Sequence, residues 1–247
     1  MGPPTRCAKR NPGVGRQTVE TPNFKRTALS TRELTLSAAL AAAFVVSTFF
    51  PVDAFIGGAG IITFEIVLVP VIAFTLRPVP AAVTILIGSL GMAFLQRGIT
   101  PVFGFLGILV PVVATVLGSV GFHYRFGPII PWAYVLAGAV YYLGYSRGGT
   151  TFWLIPYIIV VISLPVAFSL KESRSIALLA LYTTMAEQVS LNILSIGALG
   201  LVDGIWAIIT PFMLLERTVA TVGGYVIIVG LKRGLGARLP TQEYVRR

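Results

Sequence analysis

Glu187, Gln188, Asn192, Glu216 and Arg217 lie inside two long apolar stretches, 174–200 and 205–231. Ionisable groups are costly within sequence of this kind, so they are functional candidates by default, and pairing is the usual way the cost is lowered. Gln188, Asn192 and Ser195 recur at i, i+4 and i+7 and so share one stripe of a helix. Beside the Glu187 carboxylate, that stripe offers the donors and acceptors a polar small molecule needs at mid-membrane depth. Polar side chains also join neighbouring helices in membranes, and the sequence leaves both uses open. Glu216 and Arg217 are neighbours about 100° apart around a helix and cannot fully satisfy one another. The natural ion pair is therefore Glu187–Arg217 between the last two apolar segments, with Glu216 then available to a ligand or partner; a purely structural salt bridge is the equal rival. Glu65, near one end of an earlier apolar segment, is the remaining candidate, either as a solute contact or as a residue at the water interface. His123, the only histidine, falls at a helix end and reads as a topological residue.

Other chemistries are excluded by what the motifs would require. The chain has no GxxxxGK[ST] phosphate loop, no HExxH zinc helix and no GxSxG elbow. Its single cysteine, Cys7, lies in a polar tail, so neither a disulfide framework nor a thiolate metal cluster is expected. No catalytic residue, metal site or cofactor is expected, and the chain does not read as an enzyme.

The elements that must position these residues are membrane helices. Of 247 residues 55% are hydrophobic and 11% charged, and the mean hydropathy is +0.86. A soluble domain carries about a quarter charged residues, and several of the apolar stretches here reach the roughly 18–20 residues that cross a bilayer as helix. The expected fold is an all-α polytopic membrane bundle with apolar segments near 34–50, 61–76, 79–95, 102–122, 128–146, 152–170, 174–200 and 205–231. Six spans, with two of these segments re-entrant or merged, also fit. Residues 1–32 and 234–247 are expected to be basic cytoplasmic tails flanking a helical domain at 33–233. Ser30-Thr31-Arg32-Glu33 is a capping-box pattern that should start the first helix.

Charge sets the orientation, because Lys and Arg are retained on the cytoplasmic face. With eight spans and both termini inside, sixteen of the 19 Lys and Arg fall on the inner face and only Arg97 and Arg147 on the outer. The net charge of +10 thus reports topology rather than a nucleic-acid partner. Every inward-running segment then contains a proline: Pro70, Pro111, Pro156 and Pro211, with Pro165 further along the third. The stretches Val67–Ala73 and Ile108–Ala114 nearly superimpose around their prolines, and Leu154–Ile159 is a looser copy. The pattern suggests repeated hairpins with one kinked member each, in which freed carbonyls line a cavity; the general frequency of proline in membrane helices is the simpler account.

The first apolar segment reads Thr35-Leu36-Ser37-Ala38-Ala39-Leu40-Ala41-Ala42-Ala43, with small residues four apart that permit close helix approach. Here the chain resembles the substrate-binding (S) components of energy-coupling-factor (ECF-type) vitamin transporters. In that family an AxxxA-type surface on the first helix meets a transmembrane coupling subunit. The resemblance continues through the loop 51–60, the segment 62–94 and the last helix from Thr210-Pro211 to Lys232-Arg233, about half the chain. It implies that Ala38 and Ala42, or Ala39 and Ala43 one step round, contact the coupling subunit, and that separate ATPase subunits supply the energy. Eight segments where the family has six, and the long basic N-terminal tail, depart from its pattern.

The function expected is therefore transport at the cell membrane. A small polar solute, a vitamin or precursor, would bind mid-membrane at Glu187, Gln188, Asn192, Glu216, Arg217 and Glu65. The alternative is a self-contained secondary transporter or channel coupled to protons or cations through Glu187 and Glu216; a membrane enzyme or assembly scaffold ranks last. The partners implied are the solute, the lipid bilayer and, on the leading reading, the coupling and ATPase subunits, with no nucleic acid.

Overall fold

The computed structural model describes residues 30–52, 63–146, 151–169, 172–200 and 205–235, together with Gly2; for 172–174 and 205 it describes the backbone alone. The expected tails, apart from Gly2, 30–32 and 234–235, lie outside these residues, as do Asp53, Arg147, Lys171 and Asp203 and most of the loop 51–60. The described chain is helical throughout and has no strand; a single antiparallel bridge joins Pro51 to Thr63.

In chain order the helices are α1 (Thr31–Ser47), α2 (Leu68–Thr75), α3 (Pro78–Phe94), the single turn α4 (Thr100–Phe103), α5 (Leu109–His123), α6 (Ile129–Tyr145), α7 (Ile155–Ser169), α8 (Glu172–Gly197) and α9 (Ile205–Leu235). Four described helical stretches are long and apolar enough to cross a membrane: Thr100–His123, Thr151–Ser169, Ser175–Gly197 and Trp206–Leu235. Phe64–Thr75, Pro78–Phe94 and Ile129–Tyr145 are apolar but shorter. Large aliphatic side chains face outward: Val140, Leu143, Ile162 and Ile208 are 63–70% exposed. Apolar surface of this kind is stable against lipid and a liability in water.

Three of the prolines mark a conformational repeat. The segments Phe64–Val67, Gly104–Ile108 and Thr151–Leu154 are 3₁₀ turns, and each gives way to an α-helix that begins one or two residues before Pro70, Pro111 or Pro156. Proline has no N–H for the carbonyl four residues earlier, and its ring crowds that carbonyl. A 3₁₀ turn shifts the bonding to i→i+3, as in the Leu68 amide donating to the Glu65 carbonyl and the Leu109 amide to the Leu106 carbonyl. The prolines expected to kink mid-span instead sit just inside the α-helical part, and only Pro165 and Pro211 are interior to a helix.

α8 is the hub. It packs against α2, α5, α6, α7 and α9 and is mostly buried, whereas α7 and α9 bury only about a third of their apolar length. Close approach depends on glycine, since a Cβ on Gly118 of α5 would collide with Thr183, and one on Gly138 of α6 with Val189. On α9, Gly224 accepts Pro70, whose ring would lie 2.5 Å from a Cβ there, and this draws α2 onto α9. α1 starts as its sequence predicts, with Ser30 and Glu33 forming both halves of the capping box, and Glu33 extends to Arg77 at 3.0 Å. That ion pair ties α1 to the α2–α3 turn.

Candidate functional site

Glu187 of α8 and Arg217 of α9 meet in the interior, with Nη1 of Arg217 2.8 Å from Oε2 of Glu187. The same Nη1 donates to the Thr184 carbonyl at 2.9 Å. The next contact along this interface is Thr184 Oγ1 to Thr221 Oγ1 at 3.0 Å. Glu187 is 4% exposed and Arg217 2%, so both charges are stripped of water and their pairing carries most of the compensation. Arg217 Nη2 lies 3.8 Å from Oε2 of Glu216, which is close enough for attraction but too long for a hydrogen bond.

Glu65 arrives from the opposite side. It stands in the 3₁₀ turn before α2 and is buried, and the Thr63 hydroxyl donates to its Oε2. The turn is placed by α9: Val67 packs over Gly223 and Pro70 over Gly224, which brings Glu65 into the electrostatic field of Glu187, Glu216 and Arg217. Glu65, Glu187 and Arg217 line one cavity of ≈ 10 Å³, closed by Phe44, Met92 and Pro111 among others. That is room for about one water.

The turn after α3 covers Glu65. Gln96 and Gly98 have φ of 52° and 58°, and a Cβ on Gly98 would lie 3.0 Å from Oε1 of Glu65 and 2.7 Å from the Met92 sulfur. The adjacent Arg97 holds its guanidinium 5.0 Å from the centroid of the Phe49 ring, which follows α1. Four elements, α1, the 3₁₀ turn before α2, the α3–α4 turn and α5, thus close over a site whose charged floor comes from α8 and α9.

The other expected site residues separate from this cavity. Gln188 donates to Asn192 at 3.0 Å and Asn192 to the Tyr157 hydroxyl at 2.6 Å, so these amides join α8 to α7. Ser195 is only half-buried. Glu216 adjoins Arg217 without lining the cavity. Ala38 and Ala42 are exposed on the outer face of α1 and do not line the cavity. Thr63, Thr184, Tyr157 and Gly98 were not legible as site residues. The spacing Thr63-x-Glu65 and a glycine in a polar turn are too common to single out, and their roles come from contacts between distant segments.

Among the described residues, no group of three or more His, Cys, Asp or Glu side chains is placed to hold a metal ion. Comparison with protein-family models, with curated proteins and with solved structures gave no match.

Proposed function

We propose that this chain is a multi-pass transport protein of the cell membrane that takes a small polar solute into the Glu65–Glu187–Arg217 site. The observation that carries this reading is the placement of ionisable side chains around an internal cavity between helices, where such groups are expensive. With both termini inside, Glu65 and the Arg97–Gly98 turn lie toward the outer face, and entry would be from outside. The cavity holds no more than about one water, so binding a solute requires the α3–α4 turn to move. In keeping with the resemblance of α1, we assign the chain as the substrate-specific subunit of an ATP-driven ECF-type transporter. The exposed Ala38 and Ala42 leave that face available to a coupling subunit, and the absence of a phosphate loop assigns ATP hydrolysis to other subunits.

A second reading, a self-contained carrier coupled to protons or cations, is favoured by one feature. The cavity admits about one water-sized body and adjoins more carboxylates than cations. Two experiments separate the readings. A thermal-shift screen of purified protein against water-soluble vitamins, precursors and ions should show one saturable stabilisation, because a ligand that binds only the folded state raises the melting point. Proteoliposomes containing this chain alone should then accumulate no solute if it is an S component, and should do so under an ion gradient if it is a carrier. Co-purification of a coupling subunit, lost on Ala38→Leu with Ala42→Leu, supports the first. Absence of both ligand stabilisation and transport removes the two together.

A further inference from the structure

The charges at the cavity do not balance. The cavity is lined by Glu65, Glu187 and Arg217, and Arg217 already pairs with Glu187 at 2.8 Å before Glu65 is counted. Among the described residues no ion pair reaches Glu65, whose hydrogen bond is from the Thr63 hydroxyl. The elements packed around it bring no second cation into contact with it: α1, α3 and α5 present Phe44, Met92, Val110 and Pro111, α8 presents Glu187, α9 presents Arg217 beside Glu216, and on the α3–α4 turn the Arg97 guanidinium lies 5.0 Å from the centroid of the Phe49 ring and forms no ion pair with Glu65. A buried carboxylate in this position is neutralised by a proton or by a cation.

A second, independent observation decides between them for the closed site. Nε and Nη2 of Arg217, the side edge of the guanidinium, are buried without a hydrogen-bond partner on a side chain that lines the cavity. Unpartnered donors call for an acceptor, and a bare cation placed among them would be repelled. A protonated Glu65 and one water satisfy both demands. The water accepts from Arg217, fits the ≈ 10 Å³ available, and leaves no uncompensated charge on Glu65.

We propose that Glu65 is the exchangeable charge of this site, holding a proton while the cavity is closed and releasing it when the single cationic group of a solute takes its place. The O–H bond of Glu65 breaks heterolytically, the carboxylate keeps the electron pair and faces the incoming cation, and the proton leaves to water at the mouth. The Arg217 edge then receives an acceptor atom of the solute. Glu187, by holding Arg217 through Nη1, is a positioning residue. The site therefore selects solutes with one positive charge, which deepens the transport reading and in its solute half rests on it.

The test uses the purified full chain in nanodiscs. Infrared spectra at neutral pH should contain the carbonyl stretch of a buried, protonated carboxylic acid, absent in Glu65→Gln and retained in Glu216→Gln. Titration with ethanolamine hydrochloride, whose single ammonium group is joined to a hydroxyl that can accept from Arg217, should remove that band, release about one proton for each cation bound, and weaken by about tenfold for each unit of falling pH. Acetate should do none of these. Glu65→Asp, which keeps the acid, should retain a band at shifted frequency and covers the case in which the glutamine variant does not fold. The proposal is overturned if the wild type lacks the band, if Glu65→Gln keeps it, or if ethanolamine leaves it untouched. If band and exchange are present but proteoliposomes and the complete transporter move no solute, the transport reading falls and the assignment of Glu65 stands.

Discussion

Removing either partner of the Glu187–Arg217 pair should destabilise the fold, and unequally. The two side chains meet at 2.8 Å with almost no exposure. Unit charges about 4 Å apart attract by about 4 kcal/mol at an effective dielectric near 20, and breaking a buried pair by deleting one partner costs about 3–5 kcal/mol. Glu187→Gln leaves Arg217 its bond to the Thr184 carbonyl and the Glu216 carboxylate at 3.8 Å, so its cost belongs near the lower figure, about 3 kcal/mol. Arg217→Met, which preserves most of the volume, leaves the buried Glu187 carboxylate without the cation it pairs with, and its cost belongs near about 5 kcal/mol. The double variant should cost about 5–6 kcal/mol rather than about 8, because residues in direct contact couple by up to about 3 kcal/mol. Equilibrium unfolding in mixed micelles, followed by tryptophan fluorescence and circular dichroism, supplies the three values. Additivity within about 0.5 kcal/mol, or a larger loss for Glu187→Gln than for Arg217→Met, would refute the pairing as the source of stability here.

Three further outcomes follow from named contacts. Gly98→Ala forces a Cβ onto a left-handed turn and toward Oε1 of Glu65, so hydrogen exchange over 95–104 should accelerate, with a stability loss of about 1–3 kcal/mol; unchanged exchange would mean that the turn does not seal the site. Tyr157→Phe removes the acceptor for the Asn192 amide at 2.6 Å and should cost about 1 kcal/mol without altering any response of Glu65 to pH or cations, which double-variant infrared spectra would check. Burial pushes the Glu33 carboxyl up, but the Ser30 amide and the Arg77 guanidinium outweigh it and hold the group below its ordinary value. Glu33, which precedes the apolar stretch of α1, therefore adds stability above the ordinary glutamate range. That contribution is lost as pH falls through the lowered folded value; with Arg77 37% exposed it amounts to only about 0.5 kcal/mol. Acid titration of melting temperature should show the effect in the wild type and lose it in Glu33→Gln.

The α1 cap illustrates what is local enough to read directly: Ser30 and Glu33 are three residues apart, and their reciprocal bonds follow from that spacing. The proline pattern is legible in part. Similar sequence around Pro70 and Pro111 does produce similar backbone, yet the 3₁₀ turns ahead of the prolines depend on how a missing amide is accommodated, which hydropathy does not register.

Composition and hydropathy by themselves determined that the chain is a bundle of apolar helices, since a backbone without water must bond internally and helices do so within one segment. They also singled out Glu187 and Arg217, because an ion in an apolar stretch needs a partner and these two lie on consecutive segments. Only the tertiary structure decided which polar residues share a space. Adjacent positions on one helix diverge by about 100°, so Glu187 turns to Arg217 while Gln188 and Asn192 turn to Tyr157. Glu65, 122 positions before Glu187 in the chain, reaches the same cavity because glycines on α9 let α2 settle against it. Spacing along a helix fixes the directions of its side chains, but what lies in each direction is set by packing between helices.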